Sequence, residues 1–321
     1  MELTQWATAW ILVLFVVGLI LLFAGGHALV RGSSRLARNL GVHPIVVGLT
    51  VVALGTSMPE FVVSLVAAVQ NKADVALGNV VGSNISNMAL ILGLASLLRP
   101  ISINLRILKF EMPLVLGITV LFWWLCGNKL LSRIEGLALF MGFVVYIALV
   151  IKYATKEPDS VDEVYRRKLT EEKGLGINLL FILVGIVGLA VGANWIVNSA
   201  SEISRRAGVP ELILGLTIVA IGTSLPELAT SVVAAIKNEG DISIGNILGS
   251  NMFNMMAIAG PTALVHPLAV SYDVVRYHLP LMTGLTLILF PILRTGHKLS
   301  RSEGGFLFLF YVGIFTWWAI I

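Results

Sequence analysis

Two stretches written almost alike hold the residues best suited to chemistry: ALGTSMPEFVVSL, Ala53 to Leu65, and AIGTSLPELATSV, Ala220 to Val232. Each lies in a run apolar enough to cross a bilayer, yet each carries a glutamate, Glu60 or Glu227, well inside that run. An ionised side chain near a bilayer centre costs about 2.5–3.5 kcal/mol on insertion scales, so it marks a functional site by default. Neither half offers a lysine or arginine at comparable depth, and the balancing positive charge must be a proton or a metal ion. The neighbouring residues supply oxygen. Thr56, Ser57, Thr223 and Ser224 are hydroxyls, while Pro59 and Pro226 lack the N–H that would occupy the carbonyls of Gly55 and Gly222. Freed carbonyls are tolerable in a membrane only where they line a cavity. Further along, Asn79, Ser83 and Asn87 fall at i, i+4 and i+8, a polar stripe repeated by Asn246, Ser250 and Asn254. No histidine or thiolate joins either cluster, so the donors are hard oxygens, suited to calcium, sodium or similar ions rather than zinc, copper or iron. One stripe alone would equally suit helix packing through small residues and amide hydrogen bonds. Two glutamates with two proline breaks at matching positions do not fit that alternative.

The elements that must position these groups are membrane helices. Of 321 residues, 57% are hydrophobic and 12% charged, with a mean hydropathy of +0.92, the composition of a polytopic membrane protein. Ten spans are predicted, at 6–30, 44–70, 74–98, 106–126, 132–152, 175–201, 210–237, 241–264, 276–293 and 302–320. With the N-terminus outside, 16 of the 22 lysines and arginines fall on inside connections, which places both termini outside. That distribution explains the net charge of +4 without a nucleic-acid partner. MELTQW lacks the basic start of a cleavable signal. Cys126 is the only cysteine, which excludes an intrachain disulfide.

The chain is also predicted to be one unit written twice. At an offset of 167, Gly25 matches Gly192, GTSMPE matches GTSLPE, Asp74 matches Asp241, and GNVVGSNISN at Gly78 matches GNILGSNMFN at Gly245. SRIEG at Ser132 matches SRSEG at Ser300 with one residue of drift. Five spans per copy is an odd number, so the second copy must enter from the opposite side. Inverted repeats place a transporter's binding site at their interface near the midplane. The expected division is a first repeat over 1–152, a cytoplasmic linker over 153–174 and a second repeat over 175–321. Other polar residues have plainer expectations. Asp74 and Asp241 look like N-caps, and Ser132 with Glu135 and Ser300 with Glu303 like capping boxes. His27 is expected to be packed, Glu111 and His278 to lie near interfaces, and Trp317 and Trp318 to join an aromatic belt.

GTSMPE and GTSLPE, each followed by GNxxGSNxxN, resemble the paired alpha repeats of the cation/calcium exchanger superfamily, nearest its prokaryotic sodium/calcium exchanger branch. The likeness runs the length of the chain. It implies ten helices, with ion sites on the second, third, seventh and eighth and a mobile gate made by the first and sixth. Carried over by position, it implies that Glu60 and Glu227 ligate calcium and sodium in competition. Thr56, Ser57, Thr223, Ser224, Ser83 and Ser250 would add oxygens, with Asn87 and Asn254 beside them and the carbonyls of Ala53 and Ala220 serving the outermost sodium sites. Asn254 stands where some relatives have aspartate. The fixed charge is therefore −2, which one calcium or two sodium ions neutralise and three sodium ions overshoot. The absence of a carboxylate from both GN stripes argues against the proton/calcium branch. The implied activity is calcium export driven by sodium entry across a prokaryotic cytoplasmic membrane, with no cofactor and no obligatory protein partner, calcium, sodium and lipid being the expected company. Proton or potassium coupling and a cation channel are the alternatives. No nucleophile–base pair suggests an enzyme.

Overall fold

The computed structural model describes residues 8–154, 174–207 and 220–320, helical almost throughout. After α1 (Thr8–Leu40) comes a broken rod: α2 (Pro44–Val47), a π segment over Gly48–Val52, α3 (Ala53–Thr56) and α4 (Met58–Val69). Next come α5 (Ala73–Ser86), a π segment over Asn87–Ile91 and α6 (Leu92–Leu98). A π segment over Ile107–Glu111 leads into α7 (Met112–Cys126), followed by α8 (Arg133–Ala154). The second half runs α9 (Leu175–Arg206), α10 (Ala220–Thr223), α11 (Leu225–Ile236), α12 (Gly240–Met252), a π segment over Phe253–Ile258 and α13 (Ala259–Val265). It ends with a π segment over Val274–His278, α14 (Leu279–Arg294) and α15 (Arg301–Ile320). Among the described residues six helices are long and apolar enough to cross a membrane, and the pair α2–α3 with α4, bent by 47°, makes a seventh. Outward faces carry large apolar side chains such as Trp10, Ile20 and Phe23 on α1 and Leu183 and Val184 on α9. The span expected at 210–237 and the linker expected at 153–174 fall partly on residues outside those described, as do the side chains of Trp317 and Trp318.

α1 runs ten residues past its expected end at position 30. Arg31, Arg35 and Arg38 lower the hydropathy there, but Gly32, Ser33, Ser34, Leu36 and Ala37 on the other side are buried, so the helix is held by packing. It stops in a Schellman turn: Gly41 takes φ 65°, Gly41 N–H donates to Arg38 O and Val42 N–H to Ala37 O, both at 3.0 Å. α4 and α11 stop the same way, with Asn71 and Asn238 at φ 58° and 63°.

α1 and α9 pack antiparallel, backbone against backbone. Gly18, Gly25 and Gly32, seven apart, meet Gly192, Gly185 and Asn178 in falling order. A Cβ on Gly25 would sit 2.7 Å from Leu189 N, and one on Gly185 2.6 Å from Leu29 N. This is the small-residue contact by which membrane helices approach closely. The ends of the two halves are exchanged. α8 lies on α13 through Gly136 and Gly260, and α15 lies on α6 through Gly304 and Gly93. Two short antiparallel ladders, β1 (Ile101–Ser102) with β4 (Lys298–Leu299) and β2 (Leu130–Leu131) with β3 (Leu268–Ala269), stitch the same partners, a small departure from an all-α chain.

Both capping boxes form: Glu135 Oε2 accepts from Ser132 N–H at 2.7 Å and Glu303 Oε2 from Ser300 N–H at 2.8 Å. Asp74 and Asp241 do not cap. The N-caps are Lys72 and Glu239, and both aspartates sit in the first turn, where a negative charge still suits the helix dipole. His27 is exposed rather than packed, because Gly25 and Gly26 are the residues facing α9 and α11 and one further residue turns the side chain outward. Glu111 is buried, 3.5 Å from Arg106, and His278 is half-buried.

Candidate cation-binding site

The two glutamates sit just past matching breaks. α3 gives way to α4 at Ser57 (φ −85°, ψ 8°) and α10 to α11 at Ser224 (φ −85°, ψ 4°). Pro59 and Pro226 stand in the first turn of the continuing helix, where a missing N–H costs little. The break therefore falls at the GTS residues and puts each glutamate one turn beyond it.

Glu60 and Glu227 are both about 1% exposed. Each is reached by the serine of the opposite half: Ser57 Oγ donates to Glu227 Oε1 at 2.8 Å, and Ser224 Oγ lies 3.4 Å from Glu60 Oε1. This crossed pair brings the two motifs to one place. Thr56 lies against Glu227 and the half-buried Thr223 against Glu60. Thr56 Oγ1 also donates to Asn246 Oδ1 at 3.0 Å. Asn79 and Asn246 act as braces. Asn79 Nδ2 donates to Glu60 O at 3.0 Å and Ser64 Oγ at 2.9 Å, and Asn246 Nδ2 to Ser231 Oγ at 3.0 Å and Glu227 O at 3.5 Å.

Asn87 and Asn254 are held by a second crossed pair. Asn87 Nδ2 donates to Asn251 Oδ1 and Asn254 Nδ2 to Asn84 Oδ1, each at 3.0 Å. With their NH2 groups tethered, both amides leave Oδ1 without a partner. Glu60 Oε2, Glu227 Oε2 and Ser250 Oγ are also buried without one. Buried polar atoms are nearly always satisfied in native proteins. These five are all oxygens able to accept, drawn from the two doubled motifs. Calcium takes 6–8 oxygens at about 2.3–2.6 Å, and carboxylate, amide and hydroxyl oxygens are donors of the kind it takes. No cluster of three or more His, Cys, Asp or Glu occurs among the described residues.

The remaining expected residues are less engaged. Ser83 is buried on α5 beside Asn84. Ala53 O already accepts from Ser57 N–H at 3.0 Å and from Thr56 Oγ1 at 3.4 Å. Ala220 opens α10, and its side chain lies outside the described residues. Sequence reasoning missed Asn84, Asn251, Ser64 and Ser231. Their signal was present, because each pair stands at the same offset of 167 and a buried amide must have a partner. It also missed the π segments at the two asparagines, where Leu92 N–H reaches back to Asn87 O and Ala259 N–H to Asn254 O. Such bulges are frequent at functional sites.

The family model described as sodium/calcium exchanger protein matches residues 10–152 and 177–320. The sodium/calcium exchanger MaX1 of Methanosarcina acetivorans is 31% identical over 337 residues, covering 93% of this chain and 95% of its own. The inner membrane protein YrbG of Escherichia coli is 38% identical over 258 residues, 79% of each. Among solved structures, the sodium-calcium exchanger NCX_Mj superposes with a TM-score of 0.83 at 28% identity, covering 95% of this chain and 98% of that one.

Proposed function

Because the chain belongs to the sodium/calcium exchanger family, whose members are membrane antiporters and not enzymes, we propose that this cation/calcium antiporter exports calcium by coupling it to sodium entry. Calcium and sodium compete for one chamber bounded by Glu60 and Glu227. Thr56, Thr223, Ser57, Ser224, Ser83, Ser250, Asn87 and Asn254 complete the coordination, and the carbonyls of Ala53 and Ala220 serve the outer sodium ions. The observation that carries the reading is the crossed serine–glutamate pair with its five partnerless oxygens.

Ten spans in two inverted repeats, 1–152 and 175–321 with a linker over 153–174, place both termini outside the cytoplasmic membrane of a prokaryote. Supporting this arrangement are the 167-residue offset and the antiparallel packing of α1 on α9. α1 and α9 form the gate. α9 rests Ile186 on Gly55 and Val197 on Gly222, side chain on glycine at each bend, a smooth track for sliding. The chamber cannot easily change sides empty, since two bare carboxylates out of water are expensive. That cost couples the two fluxes.

A proton could satisfy the same partnerless carboxylate oxygens, so proton coupling is the competing reading. Reconstitution into liposomes with sodium, potassium and proton gradients imposed one at a time separates them. The expected result is calcium uptake driven by an outward sodium gradient alone. Uptake that ignores sodium and follows protons or potassium would overturn the coupling, and uptake that needs no counter-ion would indicate a channel.

A further inference from the structure

A second polar cavity, of about 340 Å³, opens between α1 and the turn joining α11 to α12. At about 30 Å³ per water, it has room for roughly ten. Arg31, Arg35 and Arg38 line it from one face of α1, with Lys237 and Glu239 across from them. The lone acid is already committed. Ser34 Oγ donates to Glu239 Oε1 at 2.6 Å, Arg38 Nη1 donates to Ser34 Oγ at 2.9 Å, and Arg38 lies 4.0 Å from Glu239. Arg31 is fixed over the Phe181 ring at 5.4 Å, which holds its guanidinium plane. Lys237 Nζ is anchored at 3.1 Å to the carbonyl of His27. Arg35 Nη1 is buried with no hydrogen-bond partner, and an unmet donor on a charged group is costly.

The equivalent place in the second half is built differently. Asn198, Glu202 and Arg205 stand at the positions of Arg31, Arg35 and Arg38, and Glu202 takes Arg205 and Arg206 at 2.8 Å each. That cluster sets one acid against two cations, whereas the first-half cluster sets Glu239 against four, and nothing in the repeated fold demands the excess. Orientation in the membrane calls only for a surplus of cations on one side. It does not call for their convergence from two elements on one cavity with a donor left open.

We propose that this cavity binds a phosphate-bearing anion, its oxygens taken by the forks of Arg31 and Arg35 and by the ammonium of Lys237. Planar guanidinium groups suit phosphate bidentately, and lysine adds a point charge. The anion would bridge α1 to the α11–α12 turn. Any effect on transport rests on the exchanger reading, in which α1 moves; the binding itself does not.

The test is thermal unfolding of the full-length protein in phosphatidylcholine nanodiscs without ion gradients. Phosphatidylglycerol is added to the disc in one arm and inorganic phosphate in the other, against chloride of equal ionic strength. A rise in Tm is expected in at least one arm, lost in Arg31→Gln/Arg35→Gln and reduced in Lys237→Gln, whose side chain is only half-buried. Lys109→Gln, on an exposed site elsewhere, should keep the rise. A response to lipid alone identifies a headgroup site, and one to phosphate alone a soluble anion. No rise beyond chloride, or a rise undiminished in the Arg and Lys237 variants, overturns the proposal. A chain that failed to exchange calcium for sodium would leave these readouts unchanged.

Discussion

Asn84→Leu tests whether the crossed amides aim the site's neutral oxygens. Asn84 touches no chamber oxygen in the reading above. Its Oδ1 accepts from Asn254 Nδ2 at 3.0 Å, and its Nδ2 rests 3.6 Å from Met282 Sδ. Leucine is close in size and keeps the apolar contact with Met282 while removing the acceptor. In the variant, Asn254 is free to turn its NH2 group into the chamber. To bind calcium it must turn back and press that group against leucine, stranding a buried donor at a cost of about 1–3 kcal/mol. At 1.4 kcal/mol per factor of ten, calcium affinity should fall between roughly fivefold and a hundredfold. Asn84→Asp retains the acceptor and should keep or raise the affinity. The assay is the half-saturating calcium for sodium-driven uptake in proteoliposomes, with the calcium-dependent rise in Tm as a sodium-free check. Asn251→Leu should act alike through Asn87. If Asn84→Leu folds and binds calcium as the wild type does, Asn254 Oδ1 is not aimed by this tether and the ligand assignment built on it fails.

Glu60→Gln or Glu227→Gln should abolish sodium-driven calcium uptake, since neither amide can balance a divalent ion in a dry chamber; wild-type flux in both would remove them as ligands. Ser57→Ala should weaken calcium binding more than Ser224→Ala, because the first serine holds its carboxylate at 2.8 Å and the second at 3.4 Å; a bond to a charged group contributes about 1.5–3 kcal/mol, and equal losses would contradict the geometry. Asn254→Asp takes the fixed charge from −2 to −3, so the response of calcium uptake to an imposed membrane potential should change; an identical voltage response would place residue 254 outside the transported charge. Gly185→Leu should lower Tm sharply, because its Cβ would meet backbone at 2.6 Å, whereas Gly117→Ala, with nothing within 4 Å, should be nearly neutral.

The chemistry was legible because charge is conspicuous in an apolar run and doubling removes coincidence. Glu60 and Glu227, their hydroxyl neighbours and the polar stripes could all be found without coordinates. What could not be read was set by tertiary contact. Hydropathy ends α1 at the arginines, yet burial of Gly32, Ser33 and Ser34 carries it to Leu40. The exchange of α8 and α15 between halves depends on glycines whose partners lie far along the chain, Gly136 with Gly260 and Gly93 with Gly304. The π segments at Asn87 and Asn254 have no residue signature of their own.

The crossed pairs explain why so much of the motif is written twice. A serine three residues before one glutamate serves the other glutamate, and an asparagine three residues before one amide ligand serves the opposite amide. Neither half can therefore complete its own coordination. A change in one copy alters hydrogen bonds made by the other. The basic cavity at α1 follows the opposite rule. It departs from the repeat at two of three positions, Arg31 and Arg35 standing where the other copy has Asn198 and Glu202, while Arg38 matches Arg205. Duplication suits a site that takes ions from both sides in the proposed exchange, whereas the proposed anion site uses residues that one copy alone carries.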